Sequence, residues 1–134
     1  VNDRRLRVSG RRHMADSLFA TGIPFLGHGD ATQRAKFGRE LQEIMAVSAG
    51  VRRFGSAALD LAYVAAGRYD GFWERGLHSW DIAAGILLVR EAGGFVSDFT
   101  SRDRALDSGD VVAANPSIHA ELLKCLNATT AVHD

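Results

Sequence analysis

The stretch Glu74-Arg75-Gly76-Leu77-His78-Ser79-Trp80-Asp81 runs straight into Ile82-Ala83-Ala84-Gly85-Ile86-Leu87-Leu88-Val89, a row of apolar or small residues. Upstream, Tyr69-Asp70-Gly71-Phe72-Trp73-Glu74 has the aromatic content of a strand. Downstream, Gly93-Gly94 stops the apolar run after Ala92, and Phe95-Val96-Ser97-Asp98 reads as a further strand. Strand, polar loop, helix from about Ser79 and returning strand make an α/β unit. Glu74 and Asp81 bracket the loop. A carboxylate at the mouth of an apolar helix is either a capping group or a ligand.

The pattern continues outward in both directions. Val111-Val112-Ala113-Ala114 is an all-apolar strand of the kind buried on both faces. Asn115-Pro116 starts a helix, with Asn as N-cap and Pro at the first helical position, expected to run to about Leu126. Residues 127–134 are expected to fray. On the other side, Ala58 to about Ala66 is an Ala-rich helix with Asp60 as its one charge, expected to be largely buried. It is preceded by the small-residue turn Gly55-Ser56-Ala57 and the short strand Val51–Phe54. Asp30 through Ala49 reads as a helix with Phe37, Leu41, Ile44, Met45 and Ser48 inward and Arg39, Glu40 and Glu43 outward. Residues 17–21 and 4–8 read as strands, and Gly27-His28-Gly29 as loop. Strands and helices interleave throughout, which predicts a layered α/β domain with helices packed on a mixed sheet.

Composition bounds the function. With 134 residues the chain suits one domain with a real core. Sixteen basic and sixteen acidic side chains cancel, so no general attraction to nucleic acid or to an anionic membrane is expected. Five arginines fall within residues 4–12, the one local charge bias, and the ordinary explanation is a solvated edge. No apolar run approaches the ~20 residues of a membrane span. The single Cys125 lies among leucines, as a small hydrophobe rather than a nucleophile, and suits a reducing, cytoplasmic compartment. The chain opens on Val1 inside an apparent strand and turn, so its first residue is expected to lie inside a longer gene product. Loops of the GxxxxGK[ST], GxGxxG, HExxH and GxSxG types are absent, leaving nucleotide-loop, zinc-protease and serine-hydrolase chemistry unsupported.

Asp81 falls in the first turn of its helix, where unpaired N–H groups and the macrodipole favour an anion. Dipole compensation alone would explain it. A ligand role gains from three features: a helix too apolar for the surface, Trp80 placed to shield the site, and a second carboxylate, Glu74, able to return to the same rim. Carboxylate oxygens in a cleft suit a hard cation such as Mg²⁺. His78 is an acid or base by type but reads as a loop residue. Gly55-Ser56-Ala57 would let a phosphate or hydroxyl oxygen approach backbone N–H groups at a helix N-terminus.

The string Trp80-Asp81-Ile82-Ala83-Ala84-Gly85, continuing to Glu91-Ala92-Gly93-Gly94, closely resembles the C-terminal signature of the inositol monophosphatase family. Arg53-Phe54-Gly55-Ser56-Ala57-Ala58-Leu59-Asp60 resembles that family's G-[ST]-A-A turn and helix. Gly67 to Glu74 is similar to its strand leading into the substrate glutamate, and Ala113 to His119 to its closing strand and helix. The likeness covers residues 1–126 and is of the bacterial extragenic-suppressor type. It implies the C-terminal portion of an αβ sandwich of the sugar-phosphatase type, with a mixed sheet flanked by helices. It also implies a Mg²⁺-dependent phosphomonoesterase acting on inositol monophosphate or a related sugar phosphate, in a cytoplasmic homodimer. By resemblance Asp81 is a metal ligand close to the substrate, Glu74 binds sugar or inositol hydroxyls, and Gly55, Ser56 and Ala57 contact the substrate; none of these is assigned as the catalytic group. The family's upstream Glu and D-P-[IL]-D-G-T ligands are not in this sequence, so the chain alone is expected to be inactive. A non-catalytic role in a transcription or RNA-processing complex is the alternative, with Arg4–Arg12 and Arg52-Arg53 as surfaces.

Overall fold

The buried strand Val111–Ala114 organises the sheet. Val111 and Ala113 turn to one hydrophobic cluster, Val112 and Ala114 to another, so alternation along one strand feeds two cores. The structure, a computed structural model, describes residues 6–22, 31–53 and 55–132. After a 3-10 turn at Met14–Asp16, the elements are β1 (Leu18–Thr21), α1 (Ala31–Val47), β2 (Gly50–Arg52), α2 (Ala57–Ala65), β3 (Gly71–Glu74), α3 (Ser79–Glu91), β4 (Phe95–Ser97), α4 (Ala105–Ser108), β5 (Val111–Ala114) and α5 (Pro116–Val132). The sheet order is β2-β1-β3-β5-β4. β1 is parallel to both β2 and β3, whereas β5 is antiparallel to both β3 and β4. The mixed sheet flanked by helices expected from the sequence is therefore the observed architecture.

Ala20, Phe72 and Val96 join Leu61 and Val64 of α2 and Ile82, Ile86 and Val89 of α3 on one face. Phe19 and Trp73 join Ile44 of α1 and Ile118, Leu122 and Leu126 of α5 on the other. Cys125 is partly buried against this second cluster, and burial pushes its thiol up, as fits a packing residue.

Several local expectations change. Residues 6–8 are irregular rather than strand; Arg4 and Arg5 lie outside the described residues, as do Gly27–Gly29 and Phe54. The reason is a better use of polar groups nearby. Asp70, fully buried just before β3, accepts from Leu18 N at 2.7 Å, from Arg11 at 3.2 Å and from the Ser9 hydroxyl. Asn115 donates to Ser9 Oγ at 2.9 Å and to Arg11 O at 3.1 Å, while its own Oδ1 caps Ile118 N at 2.9 Å. Segment 9–11 is thus tied to β3 and α5 by side chains instead of by a ladder. The polar region 100–109 contains the short helix α4. α5 continues past Leu126 to Val132, since no Gly or Pro interrupts residues 127–132. In α1, Glu40 is fully buried and Met45 is 57% exposed, reversing the expected placement of both.

Candidate active site

The site grows from the alternation of β3. Phe72 points to the α2/α3 face and Trp73 to the α1/α5 face. Glu74, the last residue of β3, continues that alternation, and Arg75 follows it in a bend. Arg75 reaches α1, where its two guanidinium nitrogens grip the buried Glu40 at 2.6 and 2.5 Å, and its plane lies 3.8 Å from the Phe99 ring centroid. Glu74 takes the α2 side, where Asp60 is near enough to act on it electrostatically.

Asp60 is the residue that sequence reasoning missed. It is 1% exposed, and among the described residues neither of its carboxylate oxygens has a hydrogen-bond partner. Burial pushes its carboxyl up to about 6. Burial, then the neighbouring Asp60, push the half-buried Glu74 up to about 7. Two carboxylates that resist ionisation beside one another mark a site candidate by their electrostatics. The available signal was a lone Asp in an otherwise apolar, Ala-rich helix.

The loop after Glu74 is anchored at its middle. Gly76 N donates to Asp110 Oδ1 at 3.1 Å and Leu77 N to Gly109 O at 2.9 Å. His78 is the N-cap residue of α3, without a side-chain capping bond. Asp81 stands in the first turn, its N–H donating to His78 O at 2.9 Å, and its side chain is exposed. The expected shielding by Trp80 is corrected: Trp80 is 76% exposed and stacks on the His78 ring, centroids 4.4 Å apart. α3 buries only the stripe Ile82, Gly85, Ile86 and Val89, leaving Trp80, Ala83, Ala84 and Leu87 outside. The helix is half exposed, not interior.

Gly55 has φ +81, which suits glycine, with open space where a Cβ would stand. Ser56 caps α2, its Oγ accepting from Leu59 N at 3.2 Å. That hydroxyl is used in capping, so backbone N–H groups of the first turn are what the turn offers a ligand. Ser56→Ala is expected to destabilise the protein by about 1 kcal/mol, read from its denaturant midpoint.

Among the described residues no three of His, Cys, Asp and Glu stand close enough to hold a metal ion. Asp81 supplies one exposed carboxylate, which fits one corner of a Mg²⁺ shell but does not make a site, since the ion holds its water unless several oxygens replace it. Cavities of about 140 Å³ beside α3 and α4 and about 340 Å³ beside β4 and α5 include none of Gly55, Ser56, Glu74 and Asp81.

Known proteins share this sequence and fold. The inositol monophosphatase family matches residues 1–131. An inositol-1-monophosphatase of Mesorhizobium japonicum is 58% identical over 126 residues, covering 94% of the chain and 46% of the relative. The Nus factor SuhB of Pseudomonas aeruginosa is 50% identical over 123 residues, covering 92% of the chain and 45% of the relative. The crystal structure of extragenic suppressor protein suhB from Bartonella henselae superposes with a TM-score of 0.85 at 50% identity, covering 93% of the chain and 47% of that structure. The chain spans about half the length of the curated relatives it matches.

Proposed function

The chain belongs to the inositol monophosphatase family, and we propose that its full-length protein is a Mg²⁺-dependent phosphomonoesterase acting on inositol monophosphate or a related sugar phosphate. The observation that carries this reading is the family match across residues 1–131, with relatives named inositol-1-monophosphatase at 58% and 52% identity. In it the chain is the C-terminal part of the phosphatase domain, over residues 1–126. Asp81 would offer one carboxylate to Mg²⁺, which when bound would supply Lewis-acid chemistry at the phosphate. Glu74 binds hydroxyls of the polyol and sets its orientation. The Gly55-Ser56-Ala57 turn presents first-turn N–H groups of α2 to the ester. Among the described residues no helix is long and apolar enough to cross a membrane. A cytoplasmic homodimer completes the proposal.

Because Asp81 is a single ligand, the 134-residue chain is expected to show no turnover. Release of inorganic phosphate from inositol 1-phosphate tests both halves of the reading. Full-length protein should release phosphate only with Mg²⁺; metal-dependent release by the isolated chain would sink the single-ligand account.

Relatives named Nus factor SuhB favour a second reading, a binding role in a transcription complex. Exposed Arg52 and Arg53 are its surface, whereas Arg11 is engaged with Asp70 at 3.2 Å. A cellular phenotype that survives loss of phosphatase activity would support it.

A further inference from the structure

Glu74 is braced from two sides by residues outside the proposed substrate contacts. The first brace is an empty space. Gly22 follows β1, whose Thr21 pairs with Trp73 of β3, so Gly22 lies beside Glu74 across the parallel ladder. A Cβ added at Gly22 would overlap the Glu74 carboxylate itself, both oxygens included. The carboxylate occupies the volume that any other side chain at position 22 would fill. The second brace is a grip. Arg75, the next residue, is drawn to the opposite face by two bonds to Glu40, at 2.6 and 2.5 Å, and by the Phe99 ring beneath it. A planar, two-point contact fixes orientation as well as distance. Arg75 directly follows the last residue of β3, so with its side chain held toward α1 the chain leaves the strand with Glu74 on the opposite side, toward α2.

We propose that Gly22 and the Arg75–Glu40 pair are positioning residues that set the place and direction of the Glu74 carboxylate for polyol hydroxyls. The proposal rests on the reading of Glu74 as the hydroxyl-binding residue. It separates space from stability in a useful way. The Gly22 overlap is with the far end of a flexible side chain, so a methyl there moves the carboxylate without breaking backbone contacts. A misplacement of about 1 Å in a positioned group can cost up to ~100-fold.

The experiment uses full-length protein with Mg²⁺ and two substrates, inositol 1-phosphate and p-nitrophenyl phosphate, an aryl ester with no hydroxyls for Glu74. Gly22→Ala is expected to raise KM for the inositol ester about tenfold, leaving Tm and the KM of the aryl ester unchanged. Arg75→Leu is expected to raise the same KM and to lower Tm as well. Arg75→Lys keeps the charge without the two-point grip, so it should recover Tm more fully than KM. Glu74→Gln is the reference, with its own rise in KM for the inositol ester. Unchanged KM in Gly22→Ala and Arg75→Leu, beside a raised KM in Glu74→Gln, would overturn the positioning role. Unchanged KM in Glu74→Gln would overturn the hydroxyl-binding reading, and the positioning role with it.

Discussion

Asp81→Asn is expected to lower Mg²⁺-dependent phosphate release by the full-length protein more than ~100-fold while leaving its Tm within about 2 °C. The two halves of that expectation come from different links in the chain of causes. The loss follows from the oxygen chemistry: an amide oxygen carries no net charge, and Mg²⁺ selects anionic oxygens and phosphate. The intact fold follows from position. Asp81 is exposed in the first turn of α3, and the contact that places it, its backbone N–H on His78 O at 2.9 Å, is untouched by the substitution. Loss of its charge from a helix N-terminus costs only a few tenths of a kcal/mol at an exposed site. Phosphate release at saturating Mg²⁺ and a thermal melt, measured on the same preparation, check the prediction. Activity within tenfold of wild type would remove Asp81 from the metal site and return it to the status of a dipole-compensating residue. Trp80 gives no reason to expect otherwise, because it stacks on His78 with 76% of its surface exposed and does not cover the carboxylate.

What could be read in the sequence divides along the range of the interactions concerned. β5 was legible because an all-apolar run needs burial on both faces, a requirement local to those residues. The start of α5 was legible because the Asn115 cap acts three residues away, on Ile118 N. Glu40 was not, since its burial is made tolerable by Arg75, 35 residues later, and nothing near Glu40 in sequence announces that guanidinium. The path of residues 9–11 depends in the same way on Asp70 and Asn115. α3 shows a subtler limit. An apolar composition said that the helix is packed, but a 3.6-residue period buries one stripe, and which stripe depends on the approach of α2. Glu74 and Asp81 stood out by their strand-end and helix-start positions, and the family resemblance is what proposes site roles for them. Asp60 was passed over because its significance lies in what fails to surround it, and only three dimensions display a missing partner.

That missing partner has the second large consequence: Asp60→Asn is expected to stabilise the protein at pH 7.5, by about 3 kcal/mol, and to do nothing at pH 4. Asp60 is 1% exposed with neither oxygen hydrogen-bonded among the described residues, and burial pushes its carboxyl from 3.8 up to about 6. The folded state therefore holds the proton more tightly than the unfolded chain. Below about pH 3.8 both states are protonated and the residue is neutral in its effect. As pH rises from 3.8 to about 6 the unfolded chain ionises freely while the folded one resists, and stability falls. Above that window the full charge sits buried and the loss is complete. Asparagine resembles the protonated acid in shape and has no charge to bury, so the variant should hold its low-pH stability across the same range. The curves of Tm against pH for the two proteins should meet near pH 4 and separate through pH 6, reaching on the order of 10 °C at pH 7.5. Glu74 sharpens the outcome: Asp60 is the second cause, after burial, that holds Glu74 up at about 7, and removing that charge lets Glu74 ionise at lower pH. Parallel curves, with the same Tm difference at pH 4 and pH 8, would show that the Asp60 carboxylate finds compensation in the full-length protein, from a cation or donor brought to it there, and would exclude the buried unpaired charge as a cost.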